Sequence, residues 1–388
     1  MAASAPLAHL RFPLEETRGR RYPELLHPYR NDFRRDRDRI VHARAFRRLE
    51  DKTQVFSSGL NNHFRNRLTH TIEVSQVSRT IASALGLDED LTEALALSHD
   101  LGHPPFAHAG EGELNRQMER HGDSFDHNLQ TLRLVERLEQ RYARFPGLNL
   151  TFEVREGIAK HSRDFVSGEF PELEEYLPGL RPPLESQIID LADEIAYNTA
   201  DLDDGFSAGI FTMEQIVEEV PHYENLYDMV ETQFAGAPRE VRFLESLRGL
   251  IDFLVTGLMD GIVEQVQRAQ VQSVTEVREH EMRLVAFTEE AGETNAALKQ
   301  FLRTHVYYSE PLVAEREASA ADVAALFELL LDNPDLLPAG AADEPQIPVH
   351  RRVCDYIAGM TDGYFRRVHA ELLGSVLVPA PQSLSRVR

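Results

Sequence analysis

Arg67-Leu68-Thr69-His70-Thr71-Ile72-Glu73-Val74-Ser75-Gln76-Val77-Ser78-Arg79-Thr80-Ile81-Ala82-Ser83-Ala84-Leu85-Gly86 is the stretch that decides the fold class. His70, Val74, Val77, Ile81 and Leu85 recur at spacings of three and four, which puts them on one face of an α-helix, and Gly86 supplies a stop. Asp88 can cap the next helix, whose inner stripe is Leu91, Leu95 and His99, and Gly102 with Pro104-Pro105 ends it. Asp126 can cap a third, running to about Tyr142 with Leu129, Leu132 and Val135 inside and Pro146-Gly147 beyond its end. Further helical segments fit roughly 185–204, 240–270, 275–308 and 351–373. Two proline-bearing stretches, Phe170 to Pro183 and Asn333 to Pro348, read as loops. Strand-like alternation is scarce, so the expectation is an all-α protein with a single domain over 1–388.

The chain has 388 residues, 42% hydrophobic and 27% charged, as a globular protein does. With 41 Lys+Arg against 64 Asp+Glu its net charge is −23, which argues against a broad surface for nucleic acid or anionic membrane. The deficit is uneven. Residues 1–48 hold twelve arginines and six acids, net +6, and Arg34-Arg35-Asp36-Arg37-Asp38-Arg39 reads either as a phosphate-binding arm or as a helix laced with opposite charges. The single cysteine, Cys354, rules out an intrachain disulfide. Met1 to Glu16 lacks the apolar core of a signal peptide, and Leu250 to Val263 is too short and too interrupted to span a bilayer. A cytoplasmic protein with no membrane partner is expected. Neither G-x-x-x-x-G-K-[ST] nor G-x-G-x-x-G occurs, so a nucleotide would have to be held without a glycine-rich cradle.

Six of the sixteen histidines fall between positions 70 and 127. At their centre is His99-Asp100-Leu101-Gly102-His103-Pro104-Pro105-Phe106-Ala107-His108, three histidines and a carboxylate at a helix stop. Imidazole and carboxylate both bind divalent cations, and a His-Asp pair leaving helical geometry can put both groups on one ion. His70, on the buried stripe of its own helix, is the natural third ligand, although a lone histidine on such a stripe more often simply hydrogen-bonds within a core. Asp193 is the natural fourth. Asp193, Tyr197 and Asp201 are spaced by four and share one helix face, which taken alone also suits a solvated face.

The residues His70, His99-Asp100 and Asp193 resemble the H…HD…D metal signature of the HD superfamily of phosphohydrolases. Within it the chain is similar to the deoxyguanosine triphosphate triphosphohydrolase branch. The similarity is carried by Asp36-Arg37-Asp38-Arg39-Ile40, Ala45-Phe46-Arg47-Arg48-Leu49, Lys52-Thr53-Gln54-Val55 and Arg67-Leu68-Thr69-His70-Thr71. It continues in Phe125-Asp126-His127-Asn128, Ala192-Asp193-Glu194-Ile195-Ala196-Tyr197 and Asp355-Tyr356-Ile357-Ala358-Gly359-Met360-Thr361-Asp362. Asp126 stands where the family pattern has Glu, and no sterile-alpha-motif module is expected.

The resemblance implies an all-α fold with an HD metal core over about 60–205, a basic arm at 1–48 and a helical part at 206–388. It implies hydrolysis of a dNTP to deoxynucleoside and inorganic triphosphate. His70, His99, Asp100 and Asp193 would be the metal ligands, and His108, Glu111 and His127 the acid–base group. Gln54 and Asp201 would contact the sugar 3′-hydroxyl, and Tyr197 would pack on the deoxyribose where a ribose 2′-hydroxyl clashes. A homo-oligomer is implied, and a second, regulatory nucleotide or single-stranded nucleic acid is compatible with the family. The ligand set suits Mn²⁺, Mg²⁺, Co²⁺ or Fe.

The chemistry gives these residues work to do. Cleavage at O5′ expels a poor leaving group, which calls for a proton donor; His108 fits that role, with Glu111 three residues on to raise its proton affinity. The phosphates need local cations in an acidic protein, and Arg67 and Lys160 are the candidates. Two other readings keep the motif: a nucleotidase or phosphodiesterase of the same superfamily, and a nucleotide- or nucleic-acid-binding regulator without turnover.

Overall fold

A computed structural model describes residues 5–55, 65–338 and 346–374. Helices supply the regular structure of these residues, and β-pairing is limited to three isolated bridges, so the protein is all-α as expected. By their contacts the residues group into two compact units, each assembled from three sequence segments: 1–40, 70–98 and 149–309 in the first, 41–69, 99–148 and 310–388 in the second.

In the first unit the helix Arg67–Leu85 ends where the sequence says it should. Gly86 takes φ +84°, and the N–H groups of Gly86 and Leu87 both bond the Ala82 carbonyl at 2.9 Å, closing the helix with a left-handed residue that glycine adopts without steric cost. Asp88 Oδ1 then accepts the Leu91 N–H at 2.9 Å and opens Glu89–Ser98. That helix packs on Phe152–Ala159 and Leu184–Ser207, burying Leu91, Leu95, Ile158 and Ile188, each side chain stabilising by about 1.5–3 kcal/mol. The long helix Arg239–Ala269 lies against Leu184–Ser207 and Glu289–Leu302.

Most arginines between residues 11 and 39 are paired with carboxylates and do not form a free basic arm. Arg11 pairs with Asp88 at 2.6 Å, Arg30 with Asp38 at 2.6 Å, Arg34 with Asp90 at 2.9 Å, and Arg39 with Glu24 at 2.7 Å. Arg37 reaches Glu93 at 3.2 Å, and Arg21 pairs with Glu175. Arg20 is held by Asp32 and by Asp36, whose buried carboxylate also accepts from Thr151. Of the two readings of this segment, the charge-laced one describes the structure.

The second unit centres on Ala107–Glu119, Glu310–Asp332, Val349–Ala358 and Asp362–Leu373, which bury Leu114, Met118, Val323, Phe327, Val353, Ile357 and Phe365 together. Asp126 caps His127–Arg133 by accepting the Asn128 and Leu129 N–H groups at 3.0 Å each. This helix does not reach Tyr142. It relaxes into a π turn, Leu134–Leu138, because the chain folds back at Gly147, where φ is +66° and the Leu148 N–H bonds Val135 O at 2.6 Å. Two other expected helices are interrupted. The run 275–308 breaks at residues 280–288, and 351–373 breaks at Gly359. Glu310–Asp332, opened by Glu310-Pro311 in a sequence suited to helix initiation, went unread, as did Ala107–Glu119. The expected loops hold short 3₁₀ turns, Pro171–Tyr176 and Pro334–Leu336, and residues 339–345 lie outside the described residues. Among the described residues no helix is long and apolar enough to cross a membrane.

Candidate metal centre and acid–base cluster

Within the first unit, His70 is buried on Arg67–Leu85 and its Nε2 lies 2.8 Å from Asp193 Oδ1 on Leu184–Ser207. One turn beyond Asp193 is the half-buried Tyr197, and one turn further is Asp201, 2% exposed, which accepts a hydrogen bond from the Tyr307 hydroxyl. The face is therefore not solvated. Burial pushes the Tyr197 hydroxyl well above the ordinary tyrosine range, and the charges of Glu194, Asp193 and Asp201 push the same way; burial and Asp201 do likewise for Tyr307. Both phenols stay neutral donors.

Lys160 departs from its expected role. It is buried, and its ammonium is spent on Glu156 Oε1 at 2.9 Å and on the carbonyls of Leu177 and Leu180 at 3.0 and 2.9 Å. Three donors meet three acceptors, which leaves none for a phosphate. Its work is to tie the segment around residues 177–180 to Phe152–Ala159.

Within the second unit, the turn after Ser98 brings His99, Asp100 and His103 together. Gly102 makes this turn possible: a Cβ there would overlap the His127 carbonyl and the Thr131 backbone nitrogen, and Gly102 N–H donates to Thr131 Oγ1 at 2.8 Å. Asp100 is 4% exposed. Its Oδ2 accepts from Arg67 at 2.7 Å, and its Oδ1 lies 3.0 Å from His103 Nε2 and 3.5 Å from His99 Nε2. Burial opposes its ionisation, but His99, Arg67 and His103 together outweigh this and hold the carboxyl well below the usual range. Burial, with Arg67 and His127 beside it, keeps His103 neutral. Asp100, His103 and His127 each offer a ligand atom within 4.8 Å of the others.

The acid–base residues form one chain of contacts. Glu111 Oε1 lies 2.7 Å from His127 Nδ1 and also accepts the His127 backbone N–H at 3.1 Å, while Oε2 lies 3.3 Å from His108 Nδ1. Although burial favours the neutral acid, hydrogen bonds from both histidines hold Glu111 ionised, well below the ordinary glutamate range. His108 is 82% exposed at its side chain, whereas the His127 ring stacks on His103 at 4.0 Å. Gln54 is half-buried, and its Oε1 has no hydrogen-bond partner among the described residues. Lys52 is buried, donating to the carbonyls of His103 and of Ala358, and burial pushes its ammonium down to about 7.

Sequence reasoning missed two participants. His103 stood in the quoted motif, four residues after His99, but received no role. Tyr307 has no local signal: its partner Asp201 is 106 residues away.

An all-α framework with a buried His-Asp turn and a carboxylate-bridged histidine pair describes an HD-domain phosphohydrolase. The HD domain family model matches residues 67–198, and the model of a phosphohydrolase-associated domain matches residues 285–371. The chain is 43% identical over 350 residues to the deoxyguanosinetriphosphate triphosphohydrolase-like protein of Geobacter metallireducens, covering 90% of each chain. To the protein of that name from Azoarcus sp. (strain BH72) it is 43% identical, covering 92% of this chain and 93% of the other. To that of Caulobacter sp. (strain K31) it is 42% identical, covering 95% and 98%. The chain belongs to the deoxyguanosinetriphosphate triphosphohydrolase-like family.

Proposed function

We propose that the protein hydrolyses deoxynucleoside triphosphates to the deoxynucleoside and inorganic triphosphate, with His70, His99, Asp100 and Asp193 holding one divalent cation. The donor set fits such an ion: two imidazoles and two carboxylates, three of the four residues buried and Asp193 half-buried, suit Mn²⁺, Mg²⁺, Co²⁺ or Fe. When bound, the cation supplies charge to polarise the α-phosphate and to make a water nucleophilic at neutral pH.

The observation that carries the reading is Glu111, ionised and shared between His108 and His127. Bond cleavage leaves negative charge on O5′, and His108, with Nδ1 against Glu111, can deliver a proton from Nε2 to that oxygen. A positioned general acid contributes roughly 10²–10⁴-fold. His127, anchored to the same carboxylate, holds Glu111 between the two rings. Arg67 balances the negative charge of Asp100 and of the phosphates that join it. Asp201, fixed by Tyr307, accepts from the sugar 3′-hydroxyl, and the side-chain –NH₂ of Gln54 donates to that hydroxyl's oxygen. Tyr197, between Asp193 and Asp201, packs on the deoxyribose and excludes a 2′-hydroxyl.

The four dNTPs, singly and mixed, with Mn²⁺ or Mg²⁺ and products separated by anion exchange, test this. Inorganic triphosphate with deoxynucleoside is expected. Orthophosphate or pyrophosphate would instead indicate a nucleotidase or phosphodiesterase, and no product from any dNTP a binding regulator. Sedimentation of the same samples tests the homo-oligomer that the family resemblance implies and any change of assembly with a second nucleotide.

A further inference from the structure

The motif Asp355-Tyr356-Ile357-Ala358-Gly359-Met360-Thr361-Asp362 carries part of the family resemblance, yet no step of the proposed hydrolysis uses it. Its last residue is half-buried and opens the helix Asp362–Leu373, and its carboxylate meets two other segments of the second unit. Asp362 Oδ2 accepts the Thr53 N–H at 3.0 Å and also the Thr53 hydroxyl. Its Oδ1 accepts the Phe106 N–H at 3.1 Å. Three donors thus converge on one carboxylate. Thr53 immediately precedes Gln54, and Phe106 stands two residues before His108.

Both segments need to be held from outside. Phe106 and Ala107 take φ +63° and +52°, two consecutive left-handed residues that each carry a Cβ, and such a pair persists only where its surroundings fix it. Three side chains from the start of Asp362–Leu373 do so. Asp362 takes the Phe106 N–H, Phe365 meets the Phe106 ring edge-on with centroids 5.0 Å apart, and the Arg366 guanidinium lies 5.5 Å over the same ring. The turn they fix opens Ala107–Glu119, and so sets the direction in which His108 and Glu111 leave the backbone. Thr53 and Gln54 lie outside any helix, with an isolated bridge from Thr53 to Asn66. Neighbours hold this segment instead. Lys52 donates to the carbonyls of His103 and Ala358, the Lys52 carbonyl accepts the Arg67 N–H at 3.2 Å, and Asp362 takes both Thr53 donors.

We propose that Asp362 is a positioning residue for the hydrolysis: one carboxylate that holds Gln54, through Thr53, and the His108–Glu111 turn, through Phe106, in a fixed relation. The assignment rests on the reading of Gln54 as a sugar contact and of His108 as the proton donor. A carboxylate suits this post because it accepts on both oxygens and donates on neither. An amide of the same shape sets its –NH₂ against at least one of the three donors. Displacing a reacting group by about 1 Å can cost roughly 10²-fold in rate, so a residue that never meets the substrate can still govern turnover.

Asp362→Asn, Thr53→Val and Thr53→Ser in the full-length protein with Mn²⁺ test the assignment, using the dNTP hydrolysed fastest and its 2′,3′-dideoxy counterpart. Asp362→Asn should lower kcat by about tenfold or more in otherwise wild-type protein, but by less than about twofold in a His108→Ala background, because His108 is the group it places. Thr53→Val should raise KM for the dNTP about three- to tenfold and leave the inhibition constant of the dideoxynucleotide unchanged, since Gln54 meets only the 3′-hydroxyl. Thr53→Ser keeps the hydroxyl donor and should stay within about twofold of wild type. Amide hydrogen exchange needs no turnover: Asp362→Asn should speed exchange about tenfold or more in at least one of the segments 52–55 and 106–108. Equal loss of kcat in both backgrounds, or an equal effect of Thr53→Val on dNTP and dideoxynucleotide, means a merely structural carboxylate and overturns the assignment. So does a wild-type kcat in Asp362→Asn. Absence of triphosphate from the wild-type protein overturns instead the reading on which the assignment rests, and the exchange measurements then decide alone whether Asp362 holds the two segments.

Discussion

Glu185 offers a quantitative test of how the first unit is held. It is fully buried at the start of Leu184–Ser207, and its Oε1 accepts two backbone N–H groups, from Phe12 at 2.8 Å and from Asp88 at 3.0 Å. Burial, reinforced by the charge of Asp88, pushes its carboxyl from 4.5 up to about 7 against the pull of those bonds. Below pH 4.5 the group is protonated in both folded and unfolded chains and contributes no pH dependence. Between 4.5 and about 7 the folded chain binds more protons, so stability falls as pH rises. Above 7 the full cost remains, about 3 kcal/mol at 1.36 kcal/mol per pH unit of displacement. Glu185→Gln keeps an acceptor for Phe12 and Asp88 and removes the ionisation. The buried amide –NH₂ brings an offset of about 1–3 kcal/mol that does not vary with pH, since Oε2 has no partner among the described residues. The diagnostic quantity is therefore the difference in urea-unfolding free energy between variant and wild type, followed from pH 4.5 to 8.5. It should shift towards the variant by about 3 kcal/mol across that range. A difference that stays flat, or moves towards wild type, would refute the buried-acid reasoning.

Four further outcomes are expected. His108→Ala should lower kcat by roughly 10²–10⁴ while leaving the thermal melt within a degree or so, because the side chain is exposed. Tyr197→Ala should raise the ratio of ribonucleotide to deoxynucleotide kcat/KM, and an unchanged ratio would remove Tyr197 from sugar selection. Lys160→Met should cost about 1–3 kcal/mol in chemical denaturation, because it strips the Leu177 and Leu180 carbonyls of their donor while Arg278 still holds Glu156 at 2.7 Å, yet leave KM for dNTP unchanged in the protein that folds. Gly102→Ala should reduce bound metal, measured by elemental analysis, and lower the melting temperature, because its methyl group displaces His127–Arg133 from the His99-Asp100 turn.

The parts of the fold legible in sequence are those decided locally. The stop at Gly86, the cap at Asp88 and the cap at Asp126 each depend on residues within four positions, and each is where the pattern puts it. Boundaries set by distant partners were not legible. The break at residues 280–288 is held by Arg283, which bonds Asp164, Asp190 and the carbonyls of Lys160 and Arg163, more than ninety positions away. Charge followed the same division. Arg34 looked free beside its own helix because its partner is Asp90, and Lys160 looked available because Leu177 and Leu180 are invisible from its neighbours. At the candidate site, the spacing of Asp193, Tyr197 and Asp201 identified a face but not its burial, and Tyr307, which anchors it, gave no local signal.

The pairing of the N-terminal arginines has a consequence for how the chain is made. Arg11 waits for Asp88 and Arg21 for Glu175, while the backbone N–H groups of Arg18 and Phe12 wait for Glu153 and Glu185, the last 173 residues downstream. At about 5–20 residues per second, roughly 4–15 s separate Arg11 from Asp88 and roughly 8–30 s separate Arg21 from Glu175, so a segment of net charge +6 emerges ahead of the distant acids that pair with it. A segment made well before its partners is thus among the last to be locked. The charge that looked like an invitation to a polyanion is a debt that the chain itself settles late in synthesis.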